Sequence, residues 1–103
     1  MMIARIWKAQ AADNDHVQKY VAHFEKNVYP ELQAIEGFRG AYVMQNVLTD
    51  GVEVQVMSLW ESMDAIRQFA GEQVEHAVVE AEAQAVLRSF DIVVSHHEVL
   101  VSH

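Results

Sequence analysis

The sequence predicts an α+β fold in the order β-α-β-β-α-β, the ferredoxin-like arrangement of a four-stranded antiparallel sheet with helices on one face. Three observations carry it. In VEVQVMSLWESMDAIRQFAG the apolar period changes from two to helical spacing just after Trp60. The pair Asp50-Gly51 separates two alternating segments and favours a tight primed turn between antiparallel strands. The closing IVVSHHEVLV is rich in β-branched residues and follows a long helical pattern.

Taken in order, residues 2–8 alternate, with Ile3, Arg5 and Trp7 on one side and Ala4, Ile6 and Lys8 on the other, and predict the first strand. Asp13, Asn14 and Asp15 offer a helix cap, after which Val17, Val21, Phe24 and Val28 recur at helical spacing. Pro30 lacks an N–H and ends or kinks this helix, which continues through Leu32 and Ile35 to Gly37, over residues 14–35. Residues 38–47 form the second strand, with Phe38, Gly40, Tyr42, Met44 and Asn46 on one side. The third, residues 52–60, places Val52, Val54, Val56, Ser58 and Trp60 together. Ser62 caps the second helix, Asp64 complements its dipole, and Met63, Ile66, Phe69 and Ala70 form its stripe. Gly71 is a stop signal, yet Val74, Ala77, Val78 and the Ala- and Glu-rich run that follows extend the expected helix over residues 62–88. The fourth strand covers residues 91–101. Strand and helix of the central stretch cover each other, with Trp60 at the corner. The other sheet face keeps Ile6, Val43, Met57 and Leu59, which predicts a homodimer through that open face.

Composition narrows the partners. The 103 residues, 51% hydrophobic and 21% charged, suit a single packed domain over residues 1–103. A net charge of -8 repels phosphate backbones and anionic membranes, so neither nucleic acid nor a membrane is an expected partner. The absence of cysteine rules out disulfides, thiolate metal sites and a cysteine nucleophile. MMIARIWKAQ is not a signal peptide, and no apolar run approaches the roughly 20 residues of a membrane span, which is compatible with a cytoplasmic location. The four glycines form no phosphate-binding loop or nucleotide fingerprint, so no cofactor is expected.

MIARIW in the first strand, IEGFRGAYV after the first helix, LWESMDAIRQFAG and the final HHEV resemble the antibiotic biosynthesis monooxygenases, a family of small dimeric α/β-barrel proteins. The resemblance runs along nearly the whole chain. It implies cofactor-independent oxygenation of phenolic polyketides, quinol oxidation or oxidative haem degradation, in a pocket between sheet and helices near Trp7, Tyr42, Trp60, Phe69 and His76. The haem-degrading branch uses an asparagine, a tryptophan and a histidine where Trp7, Phe69 and Val79 align here, so all three depart from its pattern. The function implied is a cofactor-independent monooxygenase or quinol oxidase acting on a small aromatic or polyketide-like compound. The alternative is a non-catalytic small-ligand-binding or stress-related dimer.

Several side chains are candidates for that chemistry. His76 suits a general base, because imidazole titrates near neutral pH; in a helix it also shares an acidic face with Glu72 and Glu80, where the commoner outcome is a solvated residue. No spacing signature supports a metal held by these three, and no metal is expected. Trp7 and Trp60 suit stacking on a flat ring or plain core filling. Arg5 shares Trp7's side of the strand, where an inward cation needs a glutamate partner or a substrate oxygen, and Tyr42 offers another donor. His96 matches the family's usual histidine in the closing strand. Adjacent His97 points to the other face and stands where the family commonly has an aromatic. His16 and His23, two helical turns apart, are expected on a solvated face.

Overall fold

In the computed structural model of residues 1–103, the sheet is built around β1 (Met2–Ala11), which pairs antiparallel with strands on both sides. After β1, Asp13 accepts a hydrogen bond from the His16 N–H at 3.0 Å and opens α1 (Asn14–His23). The helix then widens into a π-helical turn over Phe24–Val28 and resumes as α2 (Tyr29–Gln33). Pro30 is at the start of α2, and the wider turn ahead of it, with the Tyr29 N–H bonded to the Phe24 carbonyl, relieves the clash its ring makes in a regular helix. The hairpin of β2 (Phe38–Leu48) and β3 (Gly51–Trp60) follows, then α3 (Met63–Ala70), α4 (Ala81–Val86), β4 (Ser89–Phe90) and β5 (Ser95–Val99). The strand order is β2-β3-β1-β4, with β5 on the same edge of β1 as β4. This is the ferredoxin-like antiparallel arrangement with helices on one face.

Four expectations need correcting. The second helix does not run over residues 62–88: α3 stops at Gly71, which has a positive φ of 81°, and residues 71–80 contain no helix. Within them the Ala77 N–H bonds the Ile92 carbonyl (2.9 Å) and the Val94 N–H bonds the Glu75 carbonyl (2.7 Å), so this stretch lies beside the link between β4 and β5. The closing strand is likewise divided in two. The indole N–H of Trp7 takes the Asp91 carbonyl at 2.8 Å, where a continuous strand would have used it in its ladder.

The hairpin turn is centred one residue before the expected pair. Leu48 opposes Gly51, leaving Thr49 and Asp50 as the loop, and neither has the positive φ of a primed turn. Arg88 reaches across to the Asp50 carbonyl at 2.8 Å. Finally, a bulge between Phe38 and Gly40 reverses the parity of β2. Phe38 faces the helices opposite Trp60, and so do Ala41 and Val43, whereas Tyr42 and Met44 face the open side. Val43 therefore packs against the core, and the open face consists instead of residues such as Ile6, Tyr42, Met57 and Leu59.

The core is the layer between sheet and helices. Trp60, fully buried, meets Phe38 edge-on (ring centroids 5.3 Å apart) and lies 6.1 Å from Phe69, while its N–H bonds Ser58 Oγ at 2.8 Å. Ser62 caps α3 through the Ala65 N–H, and Ile66 is fully buried beneath it. No helix is long and apolar enough to cross a membrane. Gly37 allows α3 to approach the start of β2: its φ is 100°, and a Cβ there would come within 2.8 Å of the Ala65 Cβ. Gly37→Val is expected to lower the unfolding free energy by about 2 to 4 kcal/mol, combining left-handed strain with overpacking. Gly71→Ala, with positive φ but open space around it, should cost only about 1 to 2 kcal/mol, both values being read from urea titrations.

Candidate functional site

Between α1 and the sheet lies a cavity of about 60 Å3 with a mostly apolar lining. β1 contributes Arg5 and Trp7, α1 contributes Tyr20 and His23, α3 contributes Phe69, and residues 77–80 close the remaining side. Alternation along β1 points Arg5 and Trp7 the same way, and the Val17, Tyr20 and His23 stripe of α1 faces them. The rings of Trp7 and Tyr20 are 5.8 Å apart, and those of Tyr20 and His23 are 6.2 Å apart. Burial pushes the Tyr20 hydroxyl pKa up, so it stays a neutral phenol at physiological pH.

Arg5 is 5% exposed and forms no ion pair, contrary to the glutamate partnership expected of it. Neutral acceptors hold it instead. Nη1 donates to the Val74 carbonyl at 2.6 Å and to His96 Nε2 at 2.9 Å, and Nη2 donates to the His76 carbonyl at 2.9 Å. These bonds engage three of its five N–H groups, leaving Nε–H and one Nη2–H. The guanidinium carbon is 6.0 Å from the centre of the Phe69 ring. Desolvation lowers the Arg5 pKa to about 10, so it remains a cation at neutral pH.

The sequence-selected residues separate into distinct places. Arg5, Trp7 and Phe69 come together in the cavity wall. His96 stands opposite Arg5 in the β1–β5 register and orients the guanidinium without lining the cavity. Trp60 is enclosed in the core behind the wall. Tyr42 is 55% exposed on the opposite sheet face, where the bulge in β2 puts it. The His76 side chain is exposed outside any helix, and this residue meets the site through its backbone carbonyl. Glu72, His76 and Glu80 therefore share no helical face, and no group of three or more potential metal ligands is gathered anywhere.

His23 is the residue that sequence reasoning missed. It was expected on a solvated face with His16, yet it is only 7% exposed and lines the cavity. Its Nδ1 is 3.0 Å from Asn27 Nδ2 and 3.5 Å from Glu82, while its buried Nε2 has no partner. The available signal was its spacing from Tyr20 and Phe24, which puts it on their face of the helix once Tyr20 is counted in the stripe.

The antibiotic biosynthesis monooxygenase family model matches residues 2–81, most of the chain. The chain belongs to this family. No curated protein matches the sequence. Among solved structures, a Bacillus cereus protein of antibiotic biosynthesis monooxygenase type is 19% identical over 100% of this chain and 95% of its own, with a TM-score of 0.68. A Caulobacter crescentus protein of the same type gives 14%, 97% and 91%, with a TM-score of 0.70. A point mutant of SnoaB, a cofactor-independent oxygenase from Streptomyces nogalater, gives 10%, 98% and 95%, with a TM-score of 0.65. At these identities the likeness establishes the shared fold. At the three positions aligned with the haem-degrading branch, Trp7, Phe69 and Val79, this family member has cavity-lining side chains.

His96 gives the site a pH dependence. Burial, and then the Arg5 charge, push its pKa below the usual 6.5, so the unfolded chain takes up this proton before the folded chain does. Stability is expected to fall as pH drops below about 6.5 and to level off once the folded-state pKa is passed. Urea midpoints measured from roughly pH 7.5 to 5.5 should show this slope. His96→Gln, which retains an acceptor but does not titrate, should flatten it.

Proposed function

We propose that this family member is a cofactor-independent oxygenase for a compact phenol or quinol, bound as its anion beside Arg5. The observation that carries this reading is the buried guanidinium on the wall of an apolar cavity, satisfied only by neutral acceptors and with N–H groups to spare. An opposite charge within about 4 to 6 Å favours the ionised form of an acid, so a phenol bound here loses its proton more readily than in water. The phenolate then gives one electron to oxygen. The phenoxyl radical and superoxide combine at the carbon para to the oxygen, and the protonated peroxide loses water to leave a quinone. One phenol and one O2 yield one quinone and one water. A quinol instead yields its two electrons and two protons to O2, giving quinone and hydrogen peroxide.

Trp7 and Phe69 supply flat apolar walls for the ring. The void of about 60 Å3 is far below the ~300 Å3 at which pockets for drug-sized ligands begin, which argues against a fused polycyclic system. That small size also supports the second reading, a binding protein that holds such compounds without turning them over. The open face of the sheet, with Tyr42 and Met44 exposed, supports a homodimer as the working form.

An oxygen electrode distinguishes the two readings. With hydroquinone and no added metal or flavin, oxygen uptake is expected, and Arg5→Met should lower kcat/KM by about 10²-fold to 10³-fold. Hydroxylated anthracenes should react more slowly. Binding of quinols without oxygen uptake supports the binding protein instead. Sedimentation at micromolar concentration should report about twice the 11.7 kDa chain mass, and a stable monomer argues against the dimer.

A further inference from the structure

Two observations at His23 concern its unpartnered nitrogen. The Asn27 amide nitrogen is 3.0 Å from His23 Nδ1 and 3.2 Å from Glu82 Oε2, and its two hydrogens can serve both at once. Turning the amide over would place its oxygen 3.2 Å from a carboxylate oxygen, an unfavourable contact, so the amide orientation is fixed by Glu82. His23 Nδ1 is then an acceptor, and the proton of the neutral ring resides on Nε2. The other tautomer would aim an Nδ1–H at the Asn27 N–H and leave Glu82, 3.5 Å away, as its only acceptor. Protonating the ring does not change the outcome, because the imidazolium carries a proton on both nitrogens. Nε2 is thus a donor in either charge state. It is also buried and without a partner in a residue that lines the cavity.

A buried N–H without an acceptor carries a desolvation penalty, which an acceptor supplied by a ligand removes. Arg5 lines the same cavity with N–H groups to spare, and Tyr20, kept protonated by its burial, lies beside His23. Glu80 is the only carboxylate in the lining and is half-buried. Ser58, the other polar residue there, already accepts from Trp60. Arg5, Tyr20 and His23, the buried polar side chains not already paired with Trp60, thus all have hydrogens to donate while Glu80 is only half-buried, which suits an oxygen bearing negative charge better than a ligand with only a proton to donate.

We propose that His23 is a fixed hydrogen-bond donor to the ionised oxygen of the ligand, with Asn27 and Glu82 setting its tautomer, so that the cavity selects single-ring phenolates over neutral phenols and their ethers. The inference rests on the phenol or quinol reading of the cavity given above, and it assigns His23 the opposite role to a general base. Asn27 is a positioning residue. It acts only through the ring of His23.

The test uses 4-nitrophenol, whose ionisation is visible by absorbance, with 4-nitroanisole as the neutral comparison. The phenolate is expected to bind more tightly than the ether, and the bound phenol should ionise at lower pH than the free one. His23→Leu should weaken phenolate binding by about 10-fold to 100-fold, the range for a hydrogen bond to a charged group, and leave the ether nearly unaffected. Asn27→Leu should weaken it less, while moving the His23 proton towards Nδ1 in ¹⁵N NMR spectra. In the unsubstituted protein those spectra should show the Nε2–H form. This measurement decides the matter even where His23→Leu fails to fold. An Nδ1–H tautomer in the unsubstituted protein, or equal affinity for phenolate and ether, overturns the proposal. Tight phenolate binding without oxygen uptake on quinols keeps it and removes the oxygenase reading. Oxygen uptake undisturbed by His23→Leu does the reverse.

Discussion

A guanidinium buried at the centre of β1 has to find its acceptors inside the protein, and much of the structure follows from where it finds them. Arg5 forms no ion pair with a carboxylate, and the chain provides two backbone carbonyls and an imidazole nitrogen instead. A regular helix has no such carbonyls to offer in its interior, since each accepts from the N–H four residues on. The segment carrying Val74 and His76 is accordingly not helical, and its remaining backbone groups pair with the link between β4 and β5. One buried cation thus fits the non-helical stretch that closes the cavity after Gly71 ends α3, and it adds to burial in favouring the neutral state of His96.

The aromatic packing is the complementary constraint. Both indole N–H groups are satisfied within the chain, Trp60 by Ser58 and Trp7 by Asp91, so both rings are held in place by one polar contact and extensive apolar burial. Trp60 fills the corner where β3 meets α3, with Phe38 and Phe69 against it. This keeps Phe69 at the cavity wall while Trp60 itself stays behind it. The bond from Trp7 to Asp91 links β1 to the chain between β4 and β5, the same region that pairs with residues 75–77. Cation, indole and split strand are one connected arrangement.

How much of this was legible in the sequence depended on whether the signal was local. The period change at Ser62 and the caps at Asp13 and Ser62 are written in adjacent residues, and each cap side chain accepts from the N–H three residues on. The bulge at Arg39 was not legible, because one extra residue in β2 leaves the alternation looking intact while reversing which side faces the helices; Tyr42 and Val43 were interchanged for that reason. The helical spacing after Gly71 was real but lost to a tertiary demand, the acceptors needed by a residue some 70 positions earlier. Of the site, Arg5, Trp7 and Phe69 were legible from their sides of a strand and a helix. His23 was not, since its burial depends on Asn27 and on Glu82 from a distant helix.

The overall charge of -8 runs against the anion proposed to bind in the donor-rich cavity. Distance resolves the conflict. Exposed carboxylates act through water and salt, which screen them over about 8 to 10 Å, whereas the Arg5 guanidinium is desolvated and acts at contact range. The nearest acidic group on the His23 side, Glu82, is itself exposed and is bonded to Asn27, so its effect reaches the cavity through the orientation of an amide and a ring. A carboxylate outside the cavity would thereby strengthen the proposed anion preference inside it. The acidic surface repels bulky anions from the protein as a whole, so on the proposed reading the ligand would arrive as the neutral phenol and ionise only after its oxygen meets Arg5.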